Sequence, residues 1–402
     1  MDVDKATVLL ENAIKGFHGK FKKMYGQICV RVDDKTYLST GGNNILSGLT
    51  SDSFELCDIR TGDMGDIFRS MSGINALIFG CSPDIVKVSK KKAPVRPTLE
   101  DIARLTGPEV KVISDASAAN VKAGLKDSSV CLIKGVGAIA VGSNCRKAVA
   151  GIQIVEKFCE AEVHGRLVGG TIPIDDGLAA LYRKEFLTDY TYRNEGVLDD
   201  YLPFDEKEFA LRSMLIEFGK KLVKSDLAYG SWGNLSVRLD EGSILITPSS
   251  MDYFDINPED IVKLDLETLE PGKQRVPSSE TPLHAEMYRR LPDCEAIIHT
   301  HSNGISVFAA CEAGFALGEG ELQELIGDVR AARPAPAGTA EQAAAAADTL
   351  MSTHACILPH HGAVFYGPSL DVVFAIAEAV EAKSRNLLNF DSLSPADDDH
   401  DH

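Results

Sequence analysis

The chain has 402 residues, 44% of them hydrophobic and 25% charged, a soluble globular balance at a length that points to two domains. Its net charge of −18 disfavours nucleic acid and anionic membrane surfaces, whose phosphates must be neutralised by Lys and Arg. Nine scattered cysteines without CxxC spacing read as core residues of a reduced cytoplasm, no apolar run approaches the roughly 18 residues of a spanning helix, and the charged start MDVDKATVLLENAIKGF is unlike a signal peptide.

From the amino end, MYGQICVRV (24–32) reads as part of a hairpin-like pair of strands. RTGDMGDIFRSMSGINALIFGC (60–81) reads as a helix entering a strand, and CLIKGVGAIAVG (131–142) as a further strand before a helical pattern over 145–163. A Tyr- and Asp-rich connector near 190–205 leads to a helix with Leu211, Met214, Leu215, Phe218, Leu222 and Val223 at helical spacing, so that one stripe packs inward. SVRL and SILITP flank the turn DEG, EAIIHTH and ACILP read as buried strands, and AEQAAAAADTL (340–350) forms a helix by propensity. A last helical pattern over 369–389 precedes the tail ADDDHDH, read as solvated, with His400 and His402 set aside as ligands. These elements make an α/β layer arrangement.

The two halves repeat each other. MYGQICVRV (24–32) answers SWGNLSVRL (231–239), residues 60–81 answer ETPLHAEMYRRLPDCEAIIHTH (280–301) without a gap, and 131–142 answers CILPHHGAVFYG (356–367). The stretch KGVGAIAVG is therefore the twin of PHHGAVFYG; as a phosphate-binding glycine loop it lacks the G-x-G-x-x-G spacing.

Eight of the ten histidines lie at or after residue 284. In a strand, residues i and i+2 share a face about 7 Å apart at Cα, so His299 and His301 can converge on one ion. His361, before a glycine turn, offers a third nitrogen. Three neutral imidazoles leave a divalent ion with its charge uncancelled and positions open, as a catalytic site requires. An HxH pair alone is more often two polar residues at a strand end. The repeat shifts that balance: Arg60 stands opposite Glu280, Phe79 opposite His299, Cys81 opposite His301 and Val136 opposite His361. Four candidates vanish together while the apolar framework stays. His284 is expected to serve helix packing, and His354 and His360 to be structural or to stand behind the ligands, without binding metal themselves.

The motifs GNLSVR (233–238), ITPSSMDY (246–253), PSSE (277–280), HTH (299–301) and HHG (360–362) jointly resemble the class II aldolase/adducin family, in its fuculose-phosphate aldolase and ribulose-phosphate 4-epimerase branch. The likeness covers nearly all of 207–390, and the first half resembles the same fold more weakly. It implies a three-layer αβα sandwich with a mostly antiparallel central sheet, present twice: a degenerate, non-catalytic copy over 1–195 and a catalytic copy over 206–392, followed by an acidic tail over 393–402. It also implies ligation of a divalent metal, Zn2+ foremost, by His299, His301 and His361, and an acid/base role for Glu280. Asn234, Thr247, Ser249, Ser278 and Ser279 would form a phosphate pocket, although such residues also serve simply to cap turns.

The reaction so implied is cleavage of a phosphorylated ketose of the fuculose 1-phosphate kind to dihydroxyacetone phosphate and an aldehyde, through an ene-diolate. A 4-epimerase or a dehydratase on the same metal site stays open, as does a non-catalytic adducin-like binding module, against which the three histidines argue for the second half. The resemblance further implies a homo-oligomer, with two chains closing a four-domain ring. Two departures stand out. Ser250 replaces a frequent glycine, and the segment 311–339 contains no tyrosine to act on the aldehyde side, leaving Tyr366, Tyr25, Tyr182, Tyr190 and Tyr192 as candidates.

Overall fold

The computed structural model describes residues 24–389 except 43, 191–202, 230–231 and 272–273, together with residue 8. Tyr192, most of the connector and the acidic tail with His400 and His402 lie outside the described residues. The chain separates into two compact units, Met1–Val163 with Pro173–Lys184, and His164–Ile172 with Glu185–His402. The short segment 164–172 thus belongs with the later unit, where Ile172 N donates to Ala310 O at 2.8 Å.

In the first unit, β1 (Tyr25–Arg31), β2 (Thr36–Ser39), β3 (Asn44–Ile45), β4 (Glu55–Asp58), β5 (Ala76–Cys81), β6 (Val112–Ile113), β7 (Val130–Ile133) and β8 (Gly137–Gly142) form one sheet. Its order is β4-β2-β1-β5-β8-β7-β6, with β3 also on β1. The second unit builds β9 (Asn234–Arg238), β10 (Ser243–Ile246), β11 (Val262–Asp265), β12 (Ala296–Thr300), β13 (Arg330–Ala331), β14 (Ala355–Leu358) and β15 (Gly362–Gly367). These run β11-β10-β9-β12-β15-β14-β13, the same order strand for strand. In each sheet one edge pair, β6–β7 or β13–β14, is parallel and the other named pairs are antiparallel. The repeat is therefore one of topology as well as of sequence.

Alternation along the strands sends successive side chains to opposite faces, and both faces of the second sheet are covered. Ile244, Ile246, Ile297 and Val364 pack under the helices Thr281–Arg290 and Ala340–Leu350 through Leu283, Met287, Ala343 and Leu350. On the opposite face the helices Asn303–Ala310 and Leu370–Leu387 pack on each other and on β12 and β15. This is a mostly antiparallel αβα sandwich, built twice. The turn Asp240–Gly242 closes the β9–β10 hairpin, with Gly242 N donating to Asp240 Oδ1 at 3.0 Å.

The helix opening the second unit spans Glu206–Lys224 and is capped by Asp205, whose side chain accepts from Glu208 N. Leu215, Phe218 and Leu222 are buried, but Leu211, Met214 and Val223 are only half-buried. The inward face is turned toward Glu208 and Arg212, a buried ion pair at 2.6 Å, with Arg212 Nη1 also donating to Pro258 O. A pattern of apolar residues alone does not reveal such a pair. All nine cysteines are free thiols, and no helix among the described residues is long and apolar enough to cross a membrane.

Equivalent glycines open the last long strand of each sheet. A Cβ on Gly362 would meet Thr300 O at 2.1 Å; on Gly137 it would meet Gly80 O at 2.6 Å and the Phe79 ring at 2.8 Å. Gly137→Ala is accordingly expected to lower the thermal unfolding midpoint by an amount corresponding to about 1–3 kcal/mol of overpacking. An unchanged midpoint in a differential scanning experiment would contradict this close approach.

Candidate metal centre

Strand register brings the three histidines together. β12 lies between β9 and β15, so that His299 stands opposite Asn234 on one side and Val364 on the other. His301 follows the end of β12 and its N–H donates to Leu227 O at 3.1 Å. His361 immediately precedes β15, beside that same strand end. His360, with φ of 62°, makes the left-handed turn there and its ring is held by Glu312 at 3.0 Å. The His360 ring is thus engaged by Glu312 and the His354 ring stacks on Tyr366, and neither joins the group of His299, His301 and His361.

The ligand-capable nitrogens of His299, His301 and His361 all lie within 4.8 Å of one another, and all three side chains are buried. Nε2 of His299 and Nε2 of His301 are 2.8 Å apart, and the rings of His299 and His361 stack at 4.7 Å. His299 Nδ1 donates to Ala363 O at 2.9 Å. That bond fixes the tautomer and leaves the Nε2 lone pair directed at its neighbours, the usual arrangement of a metal-ligating histidine with a carbonyl behind it. The rings of Trp232 and His301 meet in an edge-type contact, with centroids 5.7 Å apart. Three imidazole nitrogens, two from the end of β12 and one from the turn before β15, with one already oriented from behind, suit a divalent cation of zinc's preferences.

Glu280 stands at the N-terminus of the helix Thr281–Arg290, only 4% exposed, with Oε1 3.7 Å from His361 Nε2. A carboxylate beside the histidines can both balance a cation and move a proton. Room for it is made by Gly338, at φ of 72°, where a Cβ would lie 3.1 Å from Ser279 O and 3.8 Å from Glu280 Oε1. Sequence reasoning missed Gly338; its signal was a glycine ending the Pro- and Ala-rich run before the Ala340–Leu350 helix.

Asn234, Thr247, Ser249 and Ser278 are buried and Ser279 is half-buried. Backbone bonds set their segments side by side: Ser278 N donates to Thr247 O at 3.1 Å, and Ser249 N to Val276 O at 2.9 Å. Part of this set also supports the backbone, Thr247 across the β9–β10 pair and Ser278 within its own turn. Leu235 N donates to Thr247 Oγ1, and Glu280 N to Ser278 Oγ, each at 3.2 Å. In the first unit Ile28 N makes the matching bond to Thr40 Oγ1 at 3.0 Å, which marks the threonine bond as scaffold. Ser250, where a glycine was expected, has φ of 60°. The left-handed backbone accounts for the glycine preference and is strained for serine.

The two units also agree with the description of a known domain. The model for the class II aldolase and adducin N-terminal domain matches residues 16–163 and again 213–388. The chain belongs to the class II aldolase and adducin family. A 5-deoxy-D-ribulose 1-phosphate aldolase of Bacillus thuringiensis is 32% identical over 173 residues, covering 42% of this chain and 80% of that protein. A methylthioribulose-1-phosphate dehydratase of Pectobacterium atrosepticum is 43% identical over 82 residues, covering 20% of this chain and 40% of that protein. Among solved structures, an L-fuculose 1-phosphate aldolase is 34% identical, with a TM-score of 0.43 over 46% of this chain and 89% of that one.

Of the tyrosines considered for the aldehyde side, Tyr366 is buried in the core, its hydroxyl 3.4 Å from Leu350 O, because alternation along β15 turns it under the helix Ala340–Leu350. In the first unit Tyr25 is exposed, and Tyr182 is buried under the Arg104 guanidinium at 5.1 Å. Tyr190 ends the stretch Phe186–Tyr190.

Because Trp232 is the only tryptophan, its emission is expected to report metal at His301. Titrating metal-stripped protein with Co2+ should quench it saturably, and His299→Ala should abolish both the quench and bound metal by elemental analysis. Stoichiometric tight metal in His299→Ala would reject the centre.

Proposed function

We propose that the second unit is a metal-dependent lyase that splits a phosphorylated ketose of the fuculose 1-phosphate kind into dihydroxyacetone phosphate and an aldehyde. The convergence of His299, His301 and His361 beside buried Glu280 carries this reading. Likeness to an aldolase acting, by its name, on 5-deoxy-D-ribulose 1-phosphate supports a ketose 1-phosphate as substrate.

Retro-aldol cleavage removes the proton of the hydroxyl next to the breaking C–C bond, releases the aldehyde and leaves an ene-diolate that must gain a proton at carbon. A divalent ion held by the three histidines, Zn2+ in this proposal, would act as a Lewis acid toward the charge developing on the ketone oxygens. Glu280 then handles the proton of the ketone fragment, a contribution commonly of about 10²–10⁴-fold. Its burial beside the histidines keeps water from competing for that proton. Asn234, Thr247, Ser249, Ser278 and Ser279 bind the phosphate through neutral donors and turn amides, without Lys or Arg.

A second reading, dehydration of a related sugar phosphate, is favoured by the 43% identity to a dehydratase over 82 residues. It uses the same carboxylate to move a proton, with loss of water in place of C–C cleavage.

The first unit keeps the sheet and loses the site, which supports a non-catalytic role in an assembly like the family's rings. A dimer of two-unit chains, in a cytoplasm that keeps its thiols reduced, completes the proposal. Light scattering should give a dimer or larger; an active monomer would overturn this part.

Glu280→Gln should retain metal and lose turnover by about 10²–10⁴-fold on a panel of ketose 1-phosphates scored for aldehyde release, for epimer and for dehydrated product. Undiminished turnover would remove Glu280 from the chemistry, and the dominant product decides between cleavage and dehydration.

A further inference from the structure

Behind Asn234 lies a buried polar chain that the proposed chemistry does not use. His284, on the helix Thr281–Arg290, is completely buried; its Nε2 lies 2.6 Å from Asn234 Oδ1 and its Nδ1 2.6 Å from Ser236 Oγ. Ser236 Oγ is in turn 2.9 Å from Tyr288 Oη. Burial pushes the imidazole pKa down to about 3, so the ring is neutral and carries one N–H. With the carbonyl oxygen of Asn234 facing Nε2, that hydrogen sits on Nε2. Nδ1 accepts from the Ser236 hydroxyl, and Ser236 accepts from Tyr288.

This chain of donors determines which end of the Asn234 amide faces outward. Its oxygen is held by His284, while Nδ2 makes no hydrogen bond among the described residues. Asn234 stands directly across from His299 in the β9–β12 pair, and cross-strand partners share a face. The amide NH2 is therefore presented beside the histidine cluster as a donor. Turned over, the same amide would repel an anion with its carbonyl oxygen.

The first unit provides the control. Arg31 and Arg238 do the same work in both: each guanidinium donates to the carbonyl of an aromatic residue, Phe68 or Tyr288, and lies over its ring at 5.2 and 4.9 Å. Around this shared contact the polar chain is gone. Gln27 replaces Asn234, Cys29 replaces Ser236, Met64 replaces His284 and Phe68 replaces Tyr288. The imidazole and the two hydroxyls at these positions disappear from the same unit that lacks the three histidines and Glu280, and Gln27 is held from a different strand by Ser39 Oγ at 2.9 Å, while the arginine contact remains. A purely structural network would have no reason to leave with the site.

We infer that His284 is a positioning residue, held by Ser236 and Tyr288, that locks the Asn234 amide with its NH2 toward the phosphate of the substrate. This rests on the phosphate reading of Asn234 given above. Glutamine at position 284 can supply both a donor to Asn234 and an acceptor for Ser236, whereas leucine supplies neither.

The test is calorimetric binding of inorganic phosphate and of dihydroxyacetone phosphate to the metal-loaded full chain, with metal content measured on each variant. Asn234→Ala should weaken dihydroxyacetone phosphate binding by about ten- to a hundredfold, the range for a lost hydrogen bond to a charged group. His284→Leu should weaken it comparably with metal content unchanged, the double variant should bind no worse than Asn234→Ala alone, and His284→Gln should restore most of the affinity. Wild-type binding by His284→Leu, additive losses in the double variant, or a loss that persists in folded, metal-loaded His284→Gln would overturn the inference while leaving the phosphate reading intact. Unaltered binding of both probes by Asn234→Ala would instead defeat the phosphate reading and this inference with it.

Discussion

The site depends on the register between β12 and β15. Side chains alternate along a strand, so a slip by one residue would carry His299 and His301 to the opposite face, under the helices Asn303–Ala310 and Leu370–Leu387. What prevents the slip is the close approach at Gly362, whose missing Cβ admits the Thr300 carbonyl, and the bond from His299 Nδ1 to Ala363 O. The same interactions that fix the pairing also orient the ring. The geometry of the candidate ligands is here a by-product of strand pairing.

Two units with one topology separate the requirements of the fold from those of the site. Gly137 retains the close approach of Gly362 and meets a phenylalanine ring where Gly362 meets His299. A ring is thus needed at that place to fill space, and a nitrogen is not. Thr40 keeps the bond that Thr247 makes, and Arg31 keeps the contact of Arg238. Arg60, in contrast, is an exposed partner of Asp58 where the second unit buries Glu280. Burying a carboxylate is unfavourable without compensating partners, and the first unit, having lost the histidines, has none to offer at that position.

Much of this was legible in the sequence because it is local. The i, i+2 spacing of His299 and His301 states their common face, the glycine after His361 states a turn, and the gapless alignment of 60–81 with 280–301 states the repeat. Other features depend on pairings that no local pattern specifies. His284 reads as a helix-packing residue until β9 is placed beneath its helix, some fifty residues away in sequence. Gly338 reads as loop punctuation until Glu280 is seen beside it. The helix Glu206–Lys224 is legible from its apolar stripe, but the buried Arg212–Glu208 pair turns its inward face. Tyr366 was a candidate by residue type alone; alternation along β15 sends it into the core.

The electrostatics explain how a strongly acidic chain can receive an anion without arginine or lysine among its proposed phosphate contacts. As metal ligands the three imidazoles are neutral, so a doubly charged cation set against a single carboxylate leaves the centre net positive over a short range. The repulsion of the distant surface charges is screened beyond about a Debye length of ~8 Å, whereas the field of a buried centre is screened much less. Attraction would thereby be concentrated at the proposed metal, and the residues proposed around the phosphate would need only to present oriented dipoles. Orientation then matters more than charge, because an amide turned the wrong way changes from donor to acceptor at the same position. On the inference drawn above, that is how a neutral imidazole set behind Asn234 would govern how well the phosphate is held.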